Sequence, residues 1–300
     1  MAERLNADPV AFLNKHSADN TLLGIIPALN SALLNEGGGQ RPAVWEWLKT
    51  QPDNDITKDL RERVLSATSY QDPLSAMRLA ADLPQTPESD EKIQNLARSL
   101  FNGGSKLHRF DQFLAQAPER LKQPLIQNAF TYLREDALQD PQTWIDRLAL
   151  LPEGRRAQGA RSIAGAWVGQ SPEQAAGWAA GMPPGDIRTS AMSTVVESWA
   201  AKDARAAAEW VSTLSGTDRE QSAGSLVVAL LEKRPSEALD WINTISDPNE
   251  RNRVAERAAE RLSLRDPAAA RKWIEAAPVT PELRERLQSS LPRSQTQAPK

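Results

Sequence analysis

Residues 171–183 read SPEQAAGWAAGMP, and the same pattern returns as DARAAAEWVSTLS at 203–215, RPSEALDWINTIS at 234–246 and DPAAARKWIEAAP at 266–278. Tryptophan recurs at 178, 210, 241 and 273, a period of about 32 residues. Counted from the first residue of each segment, apolar side chains fall at positions 5, 8, 9 and 12, the i, i+3, i+4, i+7 stripe of an amphipathic helix. This stripe, tryptophans included, is read as core.

Between these segments an arginine recurs at 156, 188, 219, 251 and 284 and opens a second helical stripe. After Arg188 the stripe is Ala191, Met192, Val195 and Trp199; after Arg251 it is Val254, Ala255, Ala258 and Leu262. The unit is therefore a first helix (helix A), a short turn and a second helix (helix B). One hairpin leaves its apolar face open to water, so copies must stack to become stable.

The register extends to the N-terminus, with helix A beginning near residues 8, 41, 72, 106, 140, 171, 203, 234 and 266. This predicts an all-α, right-handed α-solenoid of about nine helix-turn-helix repeats. A single domain is expected over residues 1–290, with a disordered tail at 291–300. The first unit pairs Asp8–His16 with a helix over 21–36 that ends at Gly37–Gly39, and a helix over 89–101 stops at Gly103 and Gly104. Proline at position 2 of most units suits a first helical turn, where a missing N–H costs nothing, and the preceding aspartate can cap the exposed amides. Helix B is expected to start on capping sequences such as Thr217-x-x-Glu220 and Asp247-x-x-Glu250.

The short helix pairs, the Asp-Pro junctions and the small helix-B residues Ala160, Ala191 and Ala223 make the chain resemble the tetratricopeptide-like arrays among α-solenoids. That resemblance implies a scaffold binding a protein segment along a concave surface.

Composition narrows the function. A formal net charge of −3, from 36 basic and 39 acidic residues in 300, supplies no field to gather nucleic acid or an anionic membrane. With no cysteine there are no disulfides and no thiolate chemistry, and the only histidines, His16 and His108, are far apart. No glycine-rich phosphate loop appears, because Gly37–Gly39 lacks the Lys-Ser/Thr that would follow it. No catalytic, cofactor or metal residues are expected, and no membrane span. The N-terminus lacks a signal-peptide pattern, which implies a cytoplasmic chain, or an exported one whose signal has been removed.

The sequence thus reads as a non-catalytic scaffold for a protein or peptide partner. Its candidate binding residues are the file Arg156, Arg188, Arg219, Arg251 and Arg284, together with Trp47; each of these arginines also reads as structural, bonding a neighbouring helix end or the next unit's aspartate. Trp45 and Trp47 lie two apart on one helix, which predicts that one of them faces outward. Two alternatives stand beside this: sequence-independent binding of nucleic acid or another polyanion along the arginine file, and an accessory superhelical domain of a larger enzyme.

Overall fold

The computed structural model describes residues 8–18, 21, 24–25, 41–101, 107–135, 138 and 140–291. Among them are 17 α-helices, two short 3₁₀ turns and no strand, so the all-α, solenoid-like architecture holds. Most of the helix expected over 21–36, the glycine stops at 37–39 and 103–104, the start at Lys106 and the polar tail lie outside the described residues.

The chain forms two compact units, residues 1–132 and 133–300. The first contains α1 (Pro9–Ala18), α2 (Arg41–Lys49), α3 (Asp55–Gln71), α4 (Pro73–Ala81), α5 (Pro87–Phe101), α6 (Phe110–Gln116) and α7 (Glu119–Thr131). The second contains α8 (Pro141–Arg147), α9 (Glu153–Gln170), α10 (Pro172–Gly181), α11 (Asp186–Lys202), α12 (Ala204–Thr213), α13 (Gly216–Leu230), α14 (Pro235–Asn243), α15 (Pro248–Ser263), α16 (Pro267–Ala276) and α17 (Pro281–Ser290). In the second unit each helix packs on its neighbour in sequence, and α9, α11, α13 and α15, the B helices, also pack on one another in succession; in the first unit the sequential pairs from α1 to α5 pack, as do α6 and α7, and α5 packs on α7.

The helix starts follow from the sequence. Asp72, Asp140 and Asp266 stand before a first-turn proline, and their carboxylates accept from Ser75 N at 3.2 Å, Gln142 N at 3.1 Å and Ala269 N at 2.9 Å. Asp203 does the same for Arg205 N and Ala206 N, each at 3.1 Å, with alanine in place of proline. Each such cap stabilises its helix by about 1 kcal/mol. Asp247 caps α15 as expected, accepting from Asn249 N at 2.9 Å. The capping box at Thr217 does not form: α13 begins one residue earlier, at Gly216, whose φ of 57° favours glycine. Glu220 instead accepts the Ser246 amide at 2.8 Å, tying α13 to the turn after α14.

In the second unit, positions 5 and 9 of helix A are fully buried: Ala175, Ala179, Ala207, Val211, Ala238, Ile242, Ala270 and Ile274. The tryptophans at position 8 differ from the expected core. Trp273 is buried, but Trp178, Trp210 and Trp241 are only half-buried. Helix A is short, and its indole leans across the junction toward the helix B before it. Trp178 lies 5.8 Å from Trp167 and Trp210 lies 6.2 Å from Trp199, centroid to centroid, while the Arg219 guanidinium sits 5.8 Å from the Trp241 ring.

The B helices approach closely where their residues are small. A Cβ added at Gly224 of α13 would come within 2.6 Å of Val254 Cγ2 on α15, so glycine there sets the spacing of the two helices.

In the first unit, the expectation that one of Trp45 and Trp47 faces outward is corrected: both are buried, at 2% and 4% exposure. A stacked helix has neighbours on two sides. Trp47 donates its indole N–H to Asn14 Oδ1 on α1 at 2.8 Å, and Trp45 donates to Asp82 Oδ2, just past α4, at 3.2 Å. Trp47 is therefore packing, with its one donor already satisfied.

Candidate functional site

The five arginines of the file are all half-buried and point at backbone. Arg156 Nε donates to Leu151 O at 3.2 Å, Arg188 Nη1 to Met182 O at 3.0 Å, Arg251 Nη1 to Ile245 O at 3.0 Å and Arg284 Nη2 to Ala277 O at 2.9 Å. Each acceptor lies just past the end of helix A in the same hairpin, where carbonyls have lost their helical partners and the helix dipole is negative. Arg188 also pairs with Asp218 at the start of the next helix B, so it links two hairpins as well as closing its own. Arg219 is the exception, reaching forward to Thr244 O at 3.4 Å and over Trp241. Arg61 in the first unit repeats the latch, donating to Leu48 O at 3.0 Å.

A different surface of the second unit gathers polar side chains, some bonded to one another, as Thr189 Oγ1 is to Gln221 Oε1 at 3.2 Å. On the helix-B face, a cavity of about 340 Å³ is lined by Thr189 and Ser193 of α11, Gln221 and Ser225 of α13, and Glu250, Arg253, Glu256, Arg257 and Glu260 of α15. Every residue in that lining is polar or charged. A second cavity of about 390 Å³ lies on the same helices, lined both by charged side chains, among them Glu197, Lys202, Glu232 and Arg261, and by apolar ones such as Ala200, Ala229 and Leu230. Both draw their lining from α11, α13 and α15, and the face of these three B helices that carries the two cavities forms the trough.

Glu197 stands on α11 and is open to solvent. Burial among the surrounding protein nevertheless holds its carboxyl above the usual carboxylate range, against the opposing pull of Arg261, Arg257 and Arg161. Those arginines come from α9 on one side and from α15, two B helices away, on the other. Glu197 and Arg261 line the second cavity together.

Several of the trough's charges are paired within the protein: Arg253 with Glu250, Arg286 with Glu256, and Arg261 and Arg265 with Glu232. The Arg265 guanidinium holds the Glu232 carboxyl below its usual range. Arg161, Arg257 and Glu197 make no hydrogen bond and no ion pair within 4 Å among the described residues. What the trough offers is thus the Arg257 guanidinium, the Glu197 carboxylate and the Ser193 hydroxyl, beside a Thr189–Gln221 pair already bonded at 3.2 Å.

Reasoning from the sequence passed over this site, although a signal was there. Thr189, Ser193 and Glu197 are spaced i, i+4, i+8, as are Arg253, Arg257 and Arg261, so each set forms one stripe on its helix, away from the apolar stripe. The repeating arginine at the head of helix B was the stronger pattern. Of the two histidines, His16 Nδ1 lies 2.6 Å from Thr21 Oγ1 and His108 sits in the 3₁₀ turn before α6. Among the described residues no cluster of potential metal ligands occurs, and no helix is long and apolar enough to cross a membrane.

No family model matches the chain, and no curated protein does either. Among solved structures, the complex of the 70-kDa soluble lytic transglycosylase with bulgecin A aligns with 92% of this chain at 13% identity and a TM-score of 0.35. The chain covers 48% of that structure, so it spans about half its length. Because the aligned structure belongs to an enzyme, two expectations drawn from the sequence are withdrawn: that the chain is a non-catalytic interaction scaffold, and that it stands apart from catalysis.

Proposed function

We propose that the chain is a helical substrate-holding region of an enzyme, and that it holds an extended, strongly polar substrate in the helix-B trough of the second unit. The observation that carries this reading is the lining of the 340 Å³ cavity, which contains no apolar residue. Small-molecule pockets are mostly apolar with a few polar anchors, and a groove for an apolar peptide stripe needs aliphatic walls. A trough of hydroxyl, amide, carboxylate and guanidinium groups on parallel helices suits instead a polymer that carries its own hydroxyls. The arginine file supports the reading indirectly: its guanidiniums hold helix ends together, which keeps the B helices in register and the trough in shape.

The test is to mix the chain with a panel of soluble polysaccharides and to measure retention and the appearance of new chain ends together, in the parent and in an Arg257→Gln, Arg261→Gln double variant. The expected result is a polymer that is retained by the parent, with retention, and any turnover, reduced in the variant. Retention of no polymer, or retention and turnover indifferent to the substitutions, would overturn the proposal.

A further inference from the structure

Resting on that reading, we propose that the polymer is a neutral sugar chain, and that the 340 Å³ cavity receives one of its hydroxyls between the Glu250 carboxylate and the Arg257 guanidinium. Glu250 is 7% exposed, and the only hydrogen bond its side chain makes among the described residues is the one Oε2 accepts from Arg253. Its Oε1 therefore holds an unused acceptor in a largely dehydrated place, which is costly until a donor fills it. Gly224 on α13 brings Arg257 to the same point. A Cβ at that glycine would lie 3.3 Å from Arg257 Nη2 and 3.7 Å from Glu250 Oε1, yet the two side chains form no ion pair. Donor and acceptor flank one small space without bonding across it. A hydroxyl can donate to Oε1 and accept from Nη2 at once, and a sugar ring carries further hydroxyls for Ser193, which also lines the cavity and makes no side-chain hydrogen bond among the described residues.

The charges select an uncharged ligand. Three glutamates and two arginines line the cavity, and the protein matches most of them itself: Glu250 with Arg253, and Glu256 with Arg286 from outside the lining. Arg257 and Glu260 remain, one of each sign on the same helix, so the cavity carries no net field toward either kind of ion. An incoming carboxylate would meet Glu250 and Glu260 beside Arg257, and an incoming ammonium would meet Arg253 and Arg257 beside Glu250. Either would give up its hydration without gaining a counter-charge of its own. A hydroxyl gives up less and bonds to both signs, and hydrogen bonds with one charged partner are the stronger kind.

The experiment is calorimetric titration of the full chain with two matched pairs of sugar hexamers, at two salt concentrations. One pair is hexagalacturonate and its methyl ester; the other is a glucosamine hexamer and its N-acetylated form. In each pair the neutral member should bind several-fold more tightly than the charged one, with an affinity indifferent to salt. Glu250→Gln and Arg257→Gln should each weaken neutral binding about tenfold, a tenfold change being 1.4 kcal/mol, and Ser193→Ala should weaken it several-fold. Arg257→Gln and Ser193→Ala remove no buried charge, so they test the site even where Glu250→Gln costs the fold, which melting curves of each variant report. A charged hexamer binding as tightly as its neutral counterpart would overturn the inference and leave a polar substrate-holding trough in place, whereas binding of none of the four would remove both. Neutral binding unchanged in Arg257→Gln and Ser193→Ala would also overturn it.

Discussion

Arg188 and Arg257 sit on neighbouring parts of one helical surface and share a side-chain chemistry, yet their surroundings differ. Arg188 lies in the first turn of α11, beside the carbonyls left open where α10 ends, and it spends two of its nitrogens on Met182 O and Asp218. Arg257 lies in the middle of α15, where every carbonyl is already taken by the helix, and its guanidinium faces the trough. The turn between helices ties Arg188 down, whereas Arg257 makes no such contact among the described residues, although Arg253 and Arg261 on the same helix are paired with Glu250 and Glu232. A repeating arginine is therefore a poor guide to binding when it recurs at the same place in each hairpin, because that place is where each hairpin needs a latch.

The largest effects should come from the core beneath the latches, and they sharpen the contrast between packing and display. Trp273 is 3% exposed and Trp241 is half-buried, although both hold position 8 of their repeats. Trp273→Ala should cost about 3 to 5 kcal/mol. Trp241→Ala, which gives up a partly exposed ring and its contact with Arg219, should cost about 1 to 3 kcal/mol. Urea denaturation followed by circular dichroism measures both. Equal losses would mean that position 8 is uniformly core, as the sequence pattern alone suggests.

The latches come next. Arg188→Met keeps much of the aliphatic stem and removes two hydrogen bonds at a half-buried site, so it should cost about 1 to 3 kcal/mol. Arg257→Met, at an exposed position without an ion pair, should stay within about 0.5 kcal/mol of the parent. If the two substitutions cost the same, the division between latch and trough arginines fails.

How far each feature could be read from the sequence depends on whether the cause is local. The helices, their proline and aspartate starts and the buried pairs at positions 5 and 9 follow from neighbours within a turn or two, and Asp72, Asp140, Asp203 and Asp266 cap as their spacing implies. The half-burial of Trp178 and Trp210 was not legible, because it depends on Trp167 and Trp199 in the preceding helix. Trp47 was misplaced for a similar reason: a helix drawn alone has an outward face, whereas α2 meets Asn14 on one side and Asp82 on the other. The trough needed the longest step. Its stripes on α11 and α15 are each visible, but only the stacking of α13 between them brings Arg257 and Arg261 to bear on Glu197.

The smallest effect concerns that carboxylate, and it separates a site kept for a ligand from one tuned for stability. Burial raises the folded-state pKa of Glu197 above its unfolded value, with Arg261, Arg257 and Arg161 compensating only in part. Between the two values the native state holds a proton that the unfolded state has released, so stability falls as pH rises from the ordinary carboxylate range through the raised folded value. Above that window the cost is constant. Glu197→Gln removes the ionisation, so at neutral pH the variant should melt higher than the parent, by about 1 to 3 °C for an array of this size. The advantage should shrink to nothing as the pH is lowered through the window. Melting curves of both proteins between pH 4 and pH 8 make the comparison. A variant that melts lower at neutral pH would show the Glu197 carboxylate to be held by its arginines as a structural pair, and the trough's charges would then belong with the latches.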